Sequence, residues 1–323
     1  LLAPFDVRQG TFGGLLVNAV TKGGSNEQHG SAYYYYRHQD YGRNTPELRS
    51  TPFDRTQYGF SLGGPIIKDK LHFFLAPEWQ EENTPVSGPY LSQPANISGP
   101  VFPIRSEDIT RFEQLMAAKN MSEFGTPDYA NIPNPLLNLF ARLDYRINDT
   151  HRSVIRYNYS EGNRLRQQNN RSATNAVYSS NFHNFDTWKI APVFQLFSVF
   201  GNGSSNELFI GYNRARNRRT PESPYPQITV SGLTTTTGGT GSIIAGADQF
   251  SQGNELDTDT YELTNNFNFQ RGNHTVTLGT RNEYVDLRNL FNQSSYGVWS
   301  FRGLDSLAAG NANTYRRAFV LQD

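Results

Sequence analysis

The feature that most constrains this chain is a period-two alternation of apolar and polar residues, interrupted by breaks of two very different lengths. Leu139, Ala141, Leu143, Tyr145 and Ile147 fall on one face of a strand, with Arg142, Asp144 and Arg146 on the other. After the break Asn148-Asp149-Thr150-His151, Ile155, Tyr157 and Tyr159 oppose Arg156, Asn158 and Ser160. Two such runs joined by an Asn/Asp turn predict a β-hairpin. The same unit recurs at 57–66 with 71–80, at 185–200 with 206–214, and at 260–269 with 274–285. A first strand at 29–38 and a last run at 315–323 bring the expected number of strands to about ten.

The short breaks are tight polar turns. The long ones, about 38–54, 81–135, 161–181, 217–257 and 288–313, are rich in Pro, Gly, Asn, Ser and Thr. Within the second, Ser106 is the expected N-cap of a short amphipathic helix over 106–120, with Ile109, Phe112, Leu115 and Met116 on its apolar face. The run TTTTGGTGS at 234–242 reads as a flexible loop tip. Tight turns and long loops alternate strictly, so every short connection lies at one end. A soluble sandwich has little reason to do this. The expected fold is therefore all-β, a transmembrane antiparallel β-barrel of the outer-membrane kind, with turns in the periplasm and loops outside.

Charge placement agrees. A charge facing lipid at mid-bilayer costs roughly 2–4 kcal/mol, falling to about 0–1 at the interface. Arg142, Asp144 and Arg156 lie opposite the apolar face, toward a wet lumen, while Arg214 and Arg317 share an apolar face only near expected outer ends. Tyr33 to Tyr36 fit an interfacial aromatic girdle. Aromatic alternating strands also build soluble sandwiches, carbohydrate-binding modules and secreted β-helices, and the pattern alone leaves these open.

Composition sets the outer limits. The 323 residues carry 29 basic and 29 acidic side chains, which gives no reason to expect nucleic acid as a partner. No cysteine is present, so disulfide scaffolds and thiolate metal sites are excluded. The mean hydropathy is −0.62, and no stretch approaches the ~20 apolar residues of a spanning helix. Leu1 is not an initiator Met and no signal peptide precedes it, so the chain is expected to be an internal piece of a longer protein.

The segment GTFGGLLVNAVTKGGSNEQHGSAYYYYR, 10–37, resembles the plug-to-barrel junction of TonB-dependent transporters, especially the Oar-like group. The resemblance rests on Gly13 and Gly14, on Asn18 to Lys22, on Gly24-Ser25-Asn26, and on His29-Gly30-Ser31. A second block, QYGFSLGGPIIKDKLHFF at 57–74, matches that group's second and third strands, and a weaker match covers 272–284 and 289–301. The resemblance implies a barrel of 22 strands filled by an N-terminal plug. Residues 1–27 would then end the plug and 28–323 would begin the barrel. It also implies energy-coupled import of a large or scarce solute across the outer membrane of a Gram-negative bacterium. TonB would engage an upstream segment not in this chain, and outer-membrane lipid would surround the wall. Gly13, Gly14, Asn18, Thr21, Gly24, Asn26 and Gly30 are read as structural residues of the junction, where glycines permit close backbone approach.

No catalytic constellation stands out. The six histidines are scattered, the Gly-rich stretches lack the Lys-Ser/Thr of a phosphate loop, and no serine sits in a nucleophile elbow. Neither enzymatic activity nor a cofactor is expected. Glu255, Asp257 and Asp259, with Glu262 beyond them, form an acidic run that could offer oxygen ligands to Ca²⁺, although a solvated loop end is the plainer reading. Solute contacts are expected from Glu78, Arg142, Asp144, Arg156 and Asn158 in the lumen, and from the loop residues Tyr41, Tyr90 and Tyr129. Besides import, a non-transporting outer-membrane receptor or structural barrel, and a soluble secreted carbohydrate-binding protein, remain as readings. Siderophore, peptide, glycan and protein all remain possible cargo.

Overall fold

A computed structural model describes residues 21–42, 53–93, 99–121, 123–201 and 203–319. Strand β1 (His29–His38) is followed by β2 (Asp54–Ile67) and β3 (Leu71–Pro85), and the next connection holds helix α1 (Ser106–Ala118) and the short β4 (Asn131–Pro133). Then come β5 (Leu136–Arg146), β6 (His151–Gln167), the short β7 (Asn175–Val177), β8 (Phe182–Val199) and β9 (Ser205–Pro221). The hairpin β10 (Gln227–Thr234) and β11 (Thr240–Ala245) precedes β12 (Asn254–Arg271) and β13 (His274–Phe291). Last are β14 (Val298–Arg302), helix α2 (Gly303–Ala309) and β15 (Thr314–Arg316).

Nine of these strands form one antiparallel wall in chain order, β1-β2-β3-β5-β6-β8-β9-β12-β13, with β4 pairing beside β3. The four expected turns close its hairpins. Asp69 adopts a φ of 61° in the first, and Gly272 a φ of 62° in the last. In the turn after β5, the Asn148 side-chain oxygen accepts from the backbone N–H groups of Thr150 and His151 at 2.9 and 2.8 Å.

The wall strands outrun the sequence reading. Loops were expected to open at 81, 161, 217 and 288 and to close at 257, but β3, β6, β9 and β13 continue to Pro85, Gln167, Pro221 and Phe291, and β12 already begins at Asn254. Strands β6, β8, β9, β12 and β13 are 17 or 18 residues long. Crossing a bilayer needs only about 9–11. Beyond the lipid both faces of a strand meet water, so the ladder continues while the apolar–polar alternation that reveals it fades.

The long connections are not loose. β7, β10, β11, β14 and β15 form a second sheet in the order β15-β14-β10-β11-β7, with parallel pairings β10–β14 and β11–β7. Helices α1 and α2 pack on it around a core that includes Phe112 and Met116 of α1, Tyr178, Val230, Ile243, and Leu304 and Leu307 of α2. Four of the five long breaks thus share one hydrophobic core, which places them at one end of the wall as turn parity required. We call this unit the cap.

The cap corrects three expectations. The run 234–242 is the β10–β11 hairpin, its tip fastened where Gly239 N–H donates to the Thr235 hydroxyl at 2.7 Å and the Thr236 hydroxyl to the Phe102 carbonyl at 3.0 Å. Helix α1 forms as expected and buries Ile109, Phe112 and Met116, but Arg105 is its N-cap and Ser106 its first helical residue. The run expected as a tenth wall strand instead supplies β15 to the cap sheet, and Arg317 donates to the Ser295 carbonyl at 3.1 Å. Residues 320–323 of that run lie outside the described residues.

The outward face of the wall shows a sharp chemical boundary. Ile155, Phe194, Ile210 and Leu263 lie in an apolar groove that ends at a row of tyrosines. Tyr212 and Tyr261 stack at 4.9 Å, and Tyr261 meets Tyr284 at 6.1 Å. Directly beyond, on the same face, Arg214 and Arg216 of β9 meet Asp259 and Asp257 of β12, with Arg216–Asp259 at 2.5 Å and Arg216–Asp257 at 3.5 Å. Arg288 of β13 closes the ladder on Glu255 and Asp257 at 3.0 and 3.4 Å. Arg214 therefore sits at the rim, where the cost of a charge is small. Tyr33 to Tyr36 divide by parity: Tyr34 and Tyr36 are exposed on the outward face, while Tyr33 turns inward.

Phe112→Ala should destabilise the cap by about 3–5 kcal/mol through the cavity it leaves. Limited proteolysis should then cut within the four cap-forming connections while the wall strands stay protected. Uniform protection of both regions would show that the cap core does not depend on α1.

Candidate functional site

The inward face of the wall carries most of the residues expected to meet a solute. Strand parity puts Tyr33, Gln57, Glu78, Asn138 and Ser160 side by side across five strands. Tyr33 donates to the Glu78 carboxylate at 2.5 Å, Gln57 at 2.9 Å and Asn138 at 3.3 Å, and the Ser160 hydroxyl donates to Asn138. Glu78 is therefore the centre of a satisfied network. Arg156 donates to Gln195 at 2.8 Å, and Asn158 stands in register between Phe140 and Ala191.

Arg142 and Asp144 do something more specific. The guanidinium grips the carboxylate with two bonds of 2.8 and 2.7 Å. Its remaining nitrogen donates to the Thr21 carbonyl at 2.8 Å and the Thr21 hydroxyl at 3.0 Å. Both side chains are largely shielded, at 16% and 15% exposure. A bidentate pair of this kind fixes geometry as well as charge.

The chain from Thr21 onward lies against the wall at its short-turn end. A Cβ at Gly24 would collide with the Phe73 carbonyl and come within 2.9 Å of the His72 Cβ. One at Gly23 would come within 2.9 Å of the Asp144 carboxylate. The Asn26 side-chain oxygen accepts from Asp69 N–H at 2.7 Å and from the His72 ring at 2.8 Å, while its amide donates to the Asp69 carboxylate at 2.5 Å. Gly30, the second residue of β1, stands opposite Leu62. Thr21, Gly24 and Asn26 thus converge on one anchoring surface, whereas Gly13, Gly14 and Asn18 lie outside the described residues.

The loop tyrosines do not join this face. Tyr41 is exposed and meets Tyr36 edge-on at 6.1 Å. Tyr90 is buried with Val86, Ile132 and Phe182, and Tyr129 packs against it at 5.3 Å. The buried Arg171 ties that cluster down, donating to the carbonyls of Val177, Asp128 and Thr126 at 2.9, 2.8 and 3.3 Å. Burial lowers its pKa to about 10, so it stays charged at neutral pH. No local pattern marks Arg171 in the sequence, because its partners are backbone carbonyls, two of them from the connection between β3 and β5. Glu255 and Asp257 are occupied by Arg288 and Arg216, and Asp259 by Arg216, so arginine supplies the positive charge that calcium would have brought. Among the described residues no cluster of His, Cys, Asp and Glu has metal-binding geometry.

A family model described as an outer membrane beta barrel domain matches residues 20–322. The chain belongs to this family. The barrel domain accordingly resides in the outer membrane of a Gram-negative bacterium. Among curated proteins none matches the chain. Among solved structures, the outer membrane transporter YddB from Escherichia coli aligns with a TM-score of 0.55 and 11% identity, over 90% of this chain and 34% of that one. The siderophore receptor PirA from Acinetobacter baumannii aligns with a TM-score of 0.45 and 15% identity, over 85% of this chain and 32% of that one. The barrel domain thus spans about a third of the length of these two proteins, and the first likeness shows a shared fold.

Arg142→Ala removes one partner of a shielded pair and should cost about 3–5 kcal/mol. Amide exchange over residues 21–28 should accelerate more than exchange in β8 and β9. Unchanged exchange in 21–28 would show that the segment is held by other contacts.

Proposed function

We propose that the barrel domain is the wall of a TonB-dependent transporter that imports a large or scarce solute with energy delivered from the periplasm. The observation that carries this reading is the segment Thr21–Gln28 anchored on the inward face at the short-turn end. A chain entering the lumen at that end is what a plug linker requires. The resemblance of 10–37 and 57–74 to the Oar-like group points the same way. Residues 1–27 are then the end of a plug and 28–323 part of the barrel.

The edges of the wall support a larger assembly. Neither the free edge of β1 nor that of β13 has a partner strand among the described residues. In lipid an open edge costs several kcal/mol for each unsatisfied backbone group. Further strands therefore complete the barrel in the whole protein. The lumen residues Glu78, Arg156 and Asn158 line the path of the solute, and the chemistry is binding and passage, not catalysis.

A second reading has one observation in its favour. The cap is a folded unit with its own core, which gives a non-transporting receptor a rigid surface for a partner. Coupling separates the two. The full-length protein in detergent should bind the purified periplasmic domain of TonB, and should lose that binding when the residues preceding Thr21 are deleted. No binding by the intact protein would leave the receptor reading in place.

A further inference from the structure

The inward face near the cap holds a cluster of cations that the wall leaves unbalanced. Arg164 and Arg166 of β6 stand opposite Phe185 and His183 of β8, and Arg219 of β9 stands opposite Phe185 from the other side. Opposed residues of an antiparallel pair share a face, so three guanidiniums gather around Phe185 and His183. Arg166 lies over the Phe185 ring at 5.1 Å, which holds its charge at this place. Lys189, opposite Ser160, adds a fourth cation on the same face toward the membrane.

Among the described residues none of these four is in an ion pair. Asp186, next to Phe185 in sequence, is on the other face, bonded to Asn163 and Thr220. Glu222 is engaged by Asn184. Asp248 is within electrostatic reach of Arg219, but it is fully buried and accepts from the Ser251 hydroxyl at 2.7 Å. The contrast with the outward rim is sharp, because there every one of Arg214, Arg216 and Arg288 has a carboxylate. His183, neutral and 1% exposed, contributes no charge of its own to the cluster. Like charges held together on one face repel. That cost falls when an anion sits among them.

We propose that Arg164, Arg166 and Arg219, with Lys189 below them, form the entry site for a multiply charged anionic solute bearing phosphate or carboxylate groups. This rests on the reading of the inward face as a solute path and narrows the solute to an anionic class. Guanidiniums match the planar oxygen geometry of such groups, and a surface carrying one sign of charge concentrates the opposite sign.

The test is a calorimetric titration of inorganic pyrophosphate into the full-length protein in detergent. R166Q/R219Q should weaken binding at least about tenfold, R166K/R219K, which keeps the charge but loses the planar fork, should weaken it less, and K22Q should bind like the parent. R164Q, at an exposed position, should weaken binding without touching the buried surroundings of His183. A silent titration of the unaltered protein would overturn the assignment, as would glutamine variants that bind like the parent. TonB binding measured on the same samples keeps the readings apart: a silent titration with TonB binding intact rejects the anion site alone.

Discussion

Everything in this wall depends on the absence of hydrogen-bonding partners in lipid. A strand in the bilayer has to give its backbone N–H and C=O groups to its two neighbours, so register becomes as binding a constraint as covalent connection. The continuous ladders from β1 to β13 follow from it. So does parity: once β5 places Leu139 and Leu143 toward lipid, Arg142 and Asp144 have nowhere to go but inward, and each neighbouring strand inherits the choice. The cap is a consequence at one remove. Strands that carry register past the membrane deliver four connections to the same place, where their apolar residues bury one another.

The wall was legible in the sequence because its rule is local. Alternation in Leu139–Ile147 and Ile155–Ser160, and the Asn/Asp and Gly turns between runs, gave the strands, the hairpins and the end at which the turns lie. The outer thirds of the strands were not legible. Arg216 and Arg218 continue the alternation of Arg214, yet with charges on a face read as apolar they look like loop. The register, which sets Arg214 and Arg216 opposite Asp259 and Asp257, turns this stretch into a rim on which both are paired. The cap was opaque for a stronger reason. Its sheet joins β7, β10, β11, β14 and β15 from three separate connections, partly in parallel, and no window of sequence contains such a pairing.

The site shows the same division. Parity alone put Glu78, Arg142, Asp144, Arg156 and Asn158 on one face, and they share it. What each does there depended on neighbours from other segments. Arg142, oriented by Asp144, donates to Thr21. Glu78 is satisfied by Tyr33, Gln57 and Asn138. Tyr90 and Tyr129 lie in the connection where the sequence puts them, but Tyr90 is buried and Tyr129 packs against it. The partner that covers the Tyr90 ring at 5.8 Å is Arg171, far away in sequence.

Arginine occupies three settings on this one sheet, and the setting decides its role. At the short-turn end Arg142 is shielded and doubly bonded, which suits an anchor that must not exchange partners. At the outward rim Arg214, Arg216 and Arg288 are paired with Asp259, Asp257 and Glu255, so charge is met by opposite charge where the wall leaves lipid. At the inward mouth Arg164, Arg166 and Arg219 are in no ion pair among the described residues, although Asp186 lies only one residue from Phe185. A shift of parity by one residue would have brought that aspartate among them. The wall instead turns it outward and pairs it with Asn163 and Thr220, so the positive charge at the mouth is a product of register, not of composition. In a chain with 29 basic and 29 acidic residues, the field that a solute meets is set by which face each charge is given.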